Sequence, residues 1–492
     1  MSTIRFDGSG FECQSARNEM AEAIQTPILK PLYSQRRGRK VPALNEIVLP
    51  AKREDNKIRL HDRAIHQWYR FVLAYPPHLV RDYIGKFGLT TQHRVLDPFC
   101  GTGTTLIECK KLGIPSFGLE SNPVVLFASQ TKLQWNVVPQ ELLEHALEIA
   151  ETAERALKAQ GLGETEQPRL LETAGKQKRP ELKGLPEECF DLLLTNSISK
   201  VPLHKTLVLL DAIAQHHNDR FVNCERLALA DALVSGISNL HFGPEVGVGP
   251  AKLDAPVISL WLDGIRAMVQ DLENLPHKRA TTEATVYRAD ARDIAAVLPP
   301  NSVDAVITSP PYPNEKDYTR TTRLESVLLG FIRSKEDLRS LKRQLVRSNT
   351  RGVYKADTDD HLVAGHAEIQ RIAEAIEKRR IELKKDSGFE RLYARVTKLY
   401  FGGMTRHLSE LRGVLRPGAQ LAYVVGDQAS YLRVMIRTGQ ILADIAASLG
   451  YEVVGIDLFR TRLATATREQ LREEVVLLRW PGHKNNQRRN RK

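Results

Sequence analysis

Two stretches of this chain, far apart in sequence, carry residue types suited to binding and chemistry: Asp97-Pro98-Phe99-Cys100-Gly101-Thr102-Gly103-Thr104-Thr105 and Thr308-Ser309-Pro310-Pro311-Tyr312. The first follows the apolar run Arg94-Val95-Leu96 and leads into Leu106-Ile107-Glu108, which reads as strand, glycine-rich turn and helix. Glycines let the backbone turn sharply and approach a ligand, and the helix that follows offers free N–H groups, so this is a nucleotide-type cofactor loop in outline. The second stretch ends a strand, because Val303-Asp304-Ala305-Val306-Ile307 is short, β-branched and bounded by Asn301-Ser302 before it and Pro310-Pro311 after it. Both loops therefore sit at carboxyl ends of strands, where open α/β sheets bind ligands. In the second loop the Ser309 hydroxyl and the Pro310 backbone carbonyl are hydrogen-bond acceptors that need no ionisation. The two prolines stiffen the turn, so these acceptors are placed in advance.

Together the stretches resemble motifs I and IV of the S-adenosylmethionine-dependent amino-methyltransferases that act on exocyclic nitrogens of DNA bases. The resemblance implies an α/β, Rossmann-like seven-stranded methyltransferase sheet and S-adenosyl-L-methionine as cofactor. It places Asp97, Pro98, Phe99, Gly101, Gly103 and Thr104 around that cofactor and Ser309, Pro310, Pro311 and Tyr312 around the acceptor. Ala74-Tyr75-Pro76-Pro77-His78-Leu79-Val80 is similar to motif X, which helps enclose the methionine end. Glu120 ends the second strand at the distance from the glycine turn where such folds hold a carboxylate for ribose hydroxyls. A helix-start acid beside Asn122 is its other reading. Asp290 falls at motif III, where the resemblance implies contact with the adenine amino group, and Asp293 reads equally as helix cap or ligand contact.

The amino group of cytosine or adenine is a poor nucleophile because its lone pair is delocalised into the ring. Acceptors for both N–H bonds, at Ser309 and the Pro310 carbonyl, would pull the nitrogen towards tetrahedral geometry, and Tyr312 would stack on the extruded base. In-line placement then supplies most of the rate, and no general base is obligatory. Methylation of cytosine carbon-5 needs a thiolate, and this catalytic loop has none; Cys100 reads as packing. Serine at the head of motif IV is typical of N4-cytosine enzymes, with adenine-N6 as the alternative. An RNA methyltransferase is a further alternative, since N2-guanine tRNA enzymes share a similar Asp-Pro-Phe-Cys-Gly-Thr-Gly loop, though they usually carry Asp in motif IV. The non-enzymatic reading is an inactive DNA-binding subunit of a defence complex, against which the intact Asp97, Glu120, Ser309 and Tyr312 argue. Double-stranded DNA is the expected partner, with a cognate restriction endonuclease or defence complex beside it.

The elements that must position these loops are spread through 492 residues of net charge +12. That length suggests two or three compact units, and the basic balance favours a polyanionic partner over a merely basic soluble enzyme. Five cysteines, Cys13, Cys100, Cys109, Cys189 and Cys224, lack any C-x-x-C spacing, so neither a zinc site nor a disulfide framework is expected. No apolar run approaches the roughly 18 residues of a membrane span. Without an apolar leader at the N-terminus, the expectation is a cytoplasmic protein with no membrane association.

In order, residues 1–60 form a basic N-terminal extension centred on Tyr33-Ser34-Gln35-Arg36-Arg37-Gly38-Arg39-Lys40, either an arm for phosphates or a solvated segment. Residues 61–135 hold the first part of the core with motifs X, I and II. Residues 136–284 form a large, mostly helical insertion without strand alternation, nominated by size as target recognition. Its His216-His217 pair with Asp219 reads as surface, since neighbouring helix positions do not converge on a metal. Residues 285–330 return to the core with motifs III and IV, the latter followed by a polar loop, 313–323, that is a candidate grip on a flipped nucleotide or its phosphates. Residues 331–399 form a second helical insertion with a stripe of Ile369, Ile372, Ile376 and Leu383 and an opposing basic face read as solvated. Residues 400–481 complete the core: a helix to Leu415 stopped by Arg416-Pro417-Gly418, then three strands with a helix between them. Residues 482–492 are a basic tail, expected to be disordered. The cofactor motif precedes the catalytic one, which excludes circularly permuted arrangements.

Overall fold

Short β-branched runs supply the strands, and their alternation decides which way each side chain points. The computed structural model describes residues 58–69, 74–163, 181–242, 245–276, 279–314, 316–463 and 470–482. The basic segment around Arg36 to Lys40 and the tail from residue 483 lie outside them. Strands β1 (Val95–Asp97), β2 (Ser116–Glu120), β3 (Leu240–Phe242), β4 (Val246–Val248), β5 (Ala284–Arg288), β6 (Val303–Thr308), β7 (Leu415–Gly426), β8 (Glu452–Leu463) and β9 (Gln470–Arg479) follow in that order. Seven of them make one sheet, β5-β2-β1-β6-β7-β9-β8. The pairs from β5 to β7 are parallel, and β9 runs antiparallel to both β7 and β8. This is a Rossmann-like methyltransferase fold.

The chain leaves β1 towards β2 and β5, then returns to lay β6 on the other side of β1. A crevice opens where the order reverses, at the carboxyl ends of β1 and β6. Alternation along the central strands separates two cores. Val95, Ala305, Ile307, Ala422 and Val424 face helix α1 (Pro77–Lys86), while Leu96, Val306, Leu421, Tyr423 and Val425 face the helices at 393–411 and 438–448.

Helix α2 (Thr104–Leu112) starts directly after the glycine turn, and α3 (Pro123–Lys132) starts at a proline three residues after β2 ends. Against them packs the first insertion, built on α4 (Pro139–Ala159) and helices at 200–215, 222–232 and 257–273. Leu142, Ala146, Ile149, Ala153 and Leu157 form the helical stripe that meets Trp261, Ile265 and Met268 in one cluster with Ile107 and Val124 of the core. The insertion is mostly helical as expected, and its one departure among the described residues is a small antiparallel ribbon of β3 and β4, which the lack of strand alternation did not signal.

Other expectations are corrected by packing. The helix at Tyr393–Leu411 ends before Arg416-Pro417-Gly418, and those residues lie inside β7. The ladder to β6 shifts register between Val303 and Ala305 there, and Gly418, at φ +92°, donates to the Trp480 carbonyl at 2.6 Å. An irregularity in the ladder is what admits a proline into a long strand. In the second insertion Ile369, Ile372 and Ile376 are buried, but Leu383 is exposed because the helix stops at Glu382. Among the described residues no helix is long and apolar enough to cross a membrane.

The long helix 393–411 crosses the 359–363 turn so closely that a Cβ at Gly402 would lie 1.8 Å from the Asp359 carbonyl oxygen. That backbone cannot yield as a side chain would. Gly402→Ala is therefore expected to cost about 3 kcal/mol of stability, the upper end of overpacking penalties, read from urea denaturation midpoints.

Candidate active site

A cavity of 510 Å³ lies over the crevice, and it joins the two loops singled out above. Pro98, Phe99, Gly101 and Thr104 from the turn after β1, Glu120 from the end of β2, Asp290 after β5, and Ser309, Pro310, Pro311 and Tyr312 after β6 all line it. Tyr75 and Pro76, ahead of α1, close another side.

Asp97 and Gly103 are not among the lining residues. Asp97 is wholly buried beneath the loops, where its Oδ1 accepts from Thr308 Oγ1 at 2.6 Å and from the Phe99 N–H at 3.1 Å. Its Oδ2 accepts from the Tyr75 hydroxyl at 2.9 Å. Burial raises the carboxyl's pKa, and these donors act in the opposite direction. Gly103 takes φ +88° as α2 begins, with Ser129 close behind it, so its contribution is the turn itself. Gly101 does the opposite: at φ +53° a Cβ there would meet nothing within 4 Å, which leaves space for a ligand over the loop.

Glu120 sits at the cavity wall with Oε2 accepting from the Gly101 N–H at 3.1 Å and Oε1 from the Asn122 N–H at 2.7 Å. Burial pushes its pKa up to about 7, against the pull of those backbone donors. Asp290 is gripped by Arg292, whose Nε lies 3.0 Å from Oδ1 and whose terminal nitrogen lies 2.6 Å from Oδ2. The same guanidinium reaches Asp359 at 2.8 Å, so the turn after β5 is tied to the second insertion. Asp293 lies outside the cavity wall, makes no cap hydrogen bond and pairs with Arg406.

The Ser309 hydroxyl donates to the Val424 carbonyl at 3.1 Å and also meets the Tyr312 hydroxyl, so what it has to offer a ligand is lone-pair density on its oxygen. Tyr312 lies against the end of β7, where a Cβ on Gly426 would be 3.1 Å from the tyrosine Cε2. Burial raises its phenol pKa well above the usual value, so the ring is neutral. The polar loop is divided: Asn314, Lys316, Asp317 and Tyr318 line the cavity, whereas Arg323 is buried, donating to the Thr319 and Leu192 carbonyls, and is spent on the fold.

Local patterns do not mark two further parts of the site. His407, buried in the 393–411 helix, donates from Nδ1 to the Ala291 carbonyl at 2.8 Å and accepts at Nε2 from Tyr423 at 2.6 Å. The carbonyl can only accept, which fixes the tautomer, and burial lowers the imidazole's pKa to about 4. Its ring meets Phe99 edge-on at 4.9 Å, setting that wall. The second part is a strap from Lys342 through Gly352 that roofs the cavity. Ser121 Oγ lies 3.2 Å from the Gln344 carbonyl at one end, and Asn349 Nδ2 donates to the Lys316 carbonyl at 3.0 Å at the other. Arg347 pins the middle through a two-point pair with Asp357, at 2.9 and 2.8 Å.

Residues 36–130 match the family described as DNA methylase, N6_N4_Mtase. The chain is 25% identical over 446 residues to the type II methyltransferase M.BsoBI of Geobacillus stearothermophilus, covering 85% of this chain and 84% of that one. It is also 25% identical over 438 residues to the type II methyltransferase M.AvaI of Nostoc sp., covering 85% and 86%. Among solved structures, TrmN from Thermus thermophilus aligns over 85% of this chain and 52% of that one, at 12% identity and a TM-score of 0.29, a likeness too slight to carry an inference.

Removing the buried acceptor isolates what Asp97 does. Asp97→Ala would strand the Thr308 hydroxyl and the Phe99 N–H, at about 1–3 kcal/mol for each group left unsatisfied, while the Tyr75 hydroxyl keeps Thr105 Oγ1 as a partner. Denaturant unfolding is expected to show a loss of several kcal/mol, whereas an effect confined to ligand affinity at unchanged stability would contradict the bracing role.

Proposed function

We propose that this chain, which belongs to the DNA amino-methyltransferase family, transfers a methyl group from S-adenosyl-L-methionine to the exocyclic N4 of a flipped cytosine in duplex DNA. The observation that supports this most is the single cavity lined by both the glycine turn and Ser309-Pro310-Pro311-Tyr312. A cofactor with ribose and a flat base suits the wall: Gly101 leaves room above the turn, Glu120 offers carboxylate lone pairs, and Phe99 is a fixed aromatic face. Bound there, S-adenosyl-L-methionine supplies a sulfonium-activated methyl group, whose bond to sulfur breaks as the new bond to nitrogen forms.

The residues of the chain do the positioning. Ser309 Oγ, with its proton committed to Val424, and the Pro310 carbonyl accept the two N–H bonds of the target amino group. Both are neutral, so neither must lose a proton first, and after transfer the extra proton on nitrogen leaves to water. Tyr312, neutral and seated against Gly426, stacks on the extruded base and offsets part of its unstacking cost. Pre-set acceptors of this kind lower the barrier by orientation and by electrostatics. Partnership with a restriction endonuclease belongs to the same reading, supported by relatives that are type II methyltransferases.

Labelled methyl transfer to duplex DNA, followed by nucleoside mass spectrometry, tests the assignment. N4-methylcytosine is the expected product; N6-methyladenine alone would move the assignment to adenine, and transfer only to tRNA would overturn it. Ser309→Ala should reduce kcat at least a hundredfold with cofactor affinity intact, and full activity in that variant would remove Ser309 from the mechanism. Because the Glu120 pKa is raised to about 7, its carboxylate must be regenerated before it can accept from both ribose hydroxyls. The cofactor Kd should be flat above pH 8 and rise about tenfold per unit as pH falls below 7. Calorimetry should show that dependence disappear in Glu120→Gln; the same slope in both proteins would count against the ribose contact.

A further inference from the structure

Two insertions interrupt the core, and they differ in charge and in what they border. Residues 136–284 carry 15 Lys and Arg against 22 Asp and Glu, whereas residues 331–399 carry 17 against 11. A duplex presents a dense line of phosphates, so the surface that holds it must have surplus cation near the reacting atoms. The cavity points the same way. Among the described residues, none of its lining comes from 136–284, while Lys342, the run from Gln344 to Asn349, and Gly352 belong to the second insertion.

Beside that rim the second insertion is exposed, apolar and basic at once. Arg351, next to the lining residue Gly352, is exposed and lays its guanidinium over the Phe389 ring at 5.4 Å from the centroid. Phe389 is 51% exposed and ends a run, 381–389, in which every residue is exposed, Lys384 and Lys385 included. A large ring held out by a cation has no folding rationale in this fold. It fits a partner whose phosphates pair with the cations and whose unstacked base steps accept an apolar wedge. The first insertion spends its apolar stripes on α2 and α3, and its surplus carboxylates would repel a polyanion.

We propose that duplex DNA docks on the 331–399 insertion, with Arg351 and Lys384 against phosphate oxygens and Phe389 against the bases beside the extruded one. This rests on the reading of the substrate as duplex DNA. It moves DNA contact away from 136–284, the segment that size alone nominates, and leaves that segment as a buttress behind the cofactor loop.

The test is binding of a fluorescein-labelled random-sequence duplex to the full-length protein, followed by anisotropy across a salt series. Arg351→Ala/Lys384→Ala/Phe389→Ala should weaken binding at least tenfold and reduce the slope of log K against log salt by about 2, at about 0.9 per lost phosphate contact. A charge-matched variant on the first insertion, Lys158→Ala/Arg266→Ala, should bind as the wild type does, and Arg351→Lys/Lys384→Arg should keep the salt slope. Unchanged binding in the triple variant, or loss in the first-insertion variant instead, overturns the docking surface while wild-type methylation leaves the enzymatic reading intact. Conversely, a wild type that binds through this surface without transferring methyl keeps the docking and removes the chemistry. No binding of the duplex at all overturns both.

Discussion

The candidate site depends on one carboxylate that lies beneath the cavity and not in its wall. Asp97 ends β1, wholly buried, and receives hydrogen bonds from Tyr75, Phe99 and Thr308. These donors come from the segment before α1, the glycine turn and the last residue of β6, so three segments that lead into the cavity wall share one anchor. In an interior of low polarity, each of those donors would be costly to leave unpaired, which makes the arrangement close to all-or-none. Thr105 adds a second tie, donating to the Ile307 carbonyl at 3.1 Å. Through these bonds the position of Ser309 follows from the position of Gly101.

Around that anchor the structure uses neutral braces where a side chain must stay put and ion pairs where segments from different parts of the chain must meet. His407 is a brace, uncharged and satisfied at both nitrogens, and it fixes Phe99 and the turn at Ala291 together. Arg292 and Arg347 are ties, each holding carboxylates in or beside the second insertion. A buried pair of this kind adds little net stability, because desolvation offsets most of its attraction. Its geometry is specific, however, and geometry is what a roof over a cavity requires.

The parts legible in the sequence were those fixed by neighbours along the chain. Strand, glycine turn and helix at Val95 to Leu112, and strand followed by Pro310-Pro311, are local patterns, and the sheet places them side by side as the family resemblance, not the patterns themselves, implies. The parts that were not legible depend on distant partners. Nothing near Lys342 to Gly352 marks it as a roof, since its ties run to Ser121, Lys316 and Asp357. Arg323 reads as a phosphate contact until its partners, Leu192 and Thr319, are known. Pro417 and Gly418 carry a stop signal that a register shift in β7 absorbs. Asp97 lay in the right motif, but its burial beneath the loop is a property of the assembled sheet.

The strap's path has a kinetic corollary. It runs from the Asp290 side of the cavity, beside Gln344, to the Lys316 side, beside Asn349, as one continuous ceiling. The same short segment thus borders both sides of one cavity, so a displacement of the strap reshapes both walls together, and whatever occupies one side is coupled in its exchange to the other.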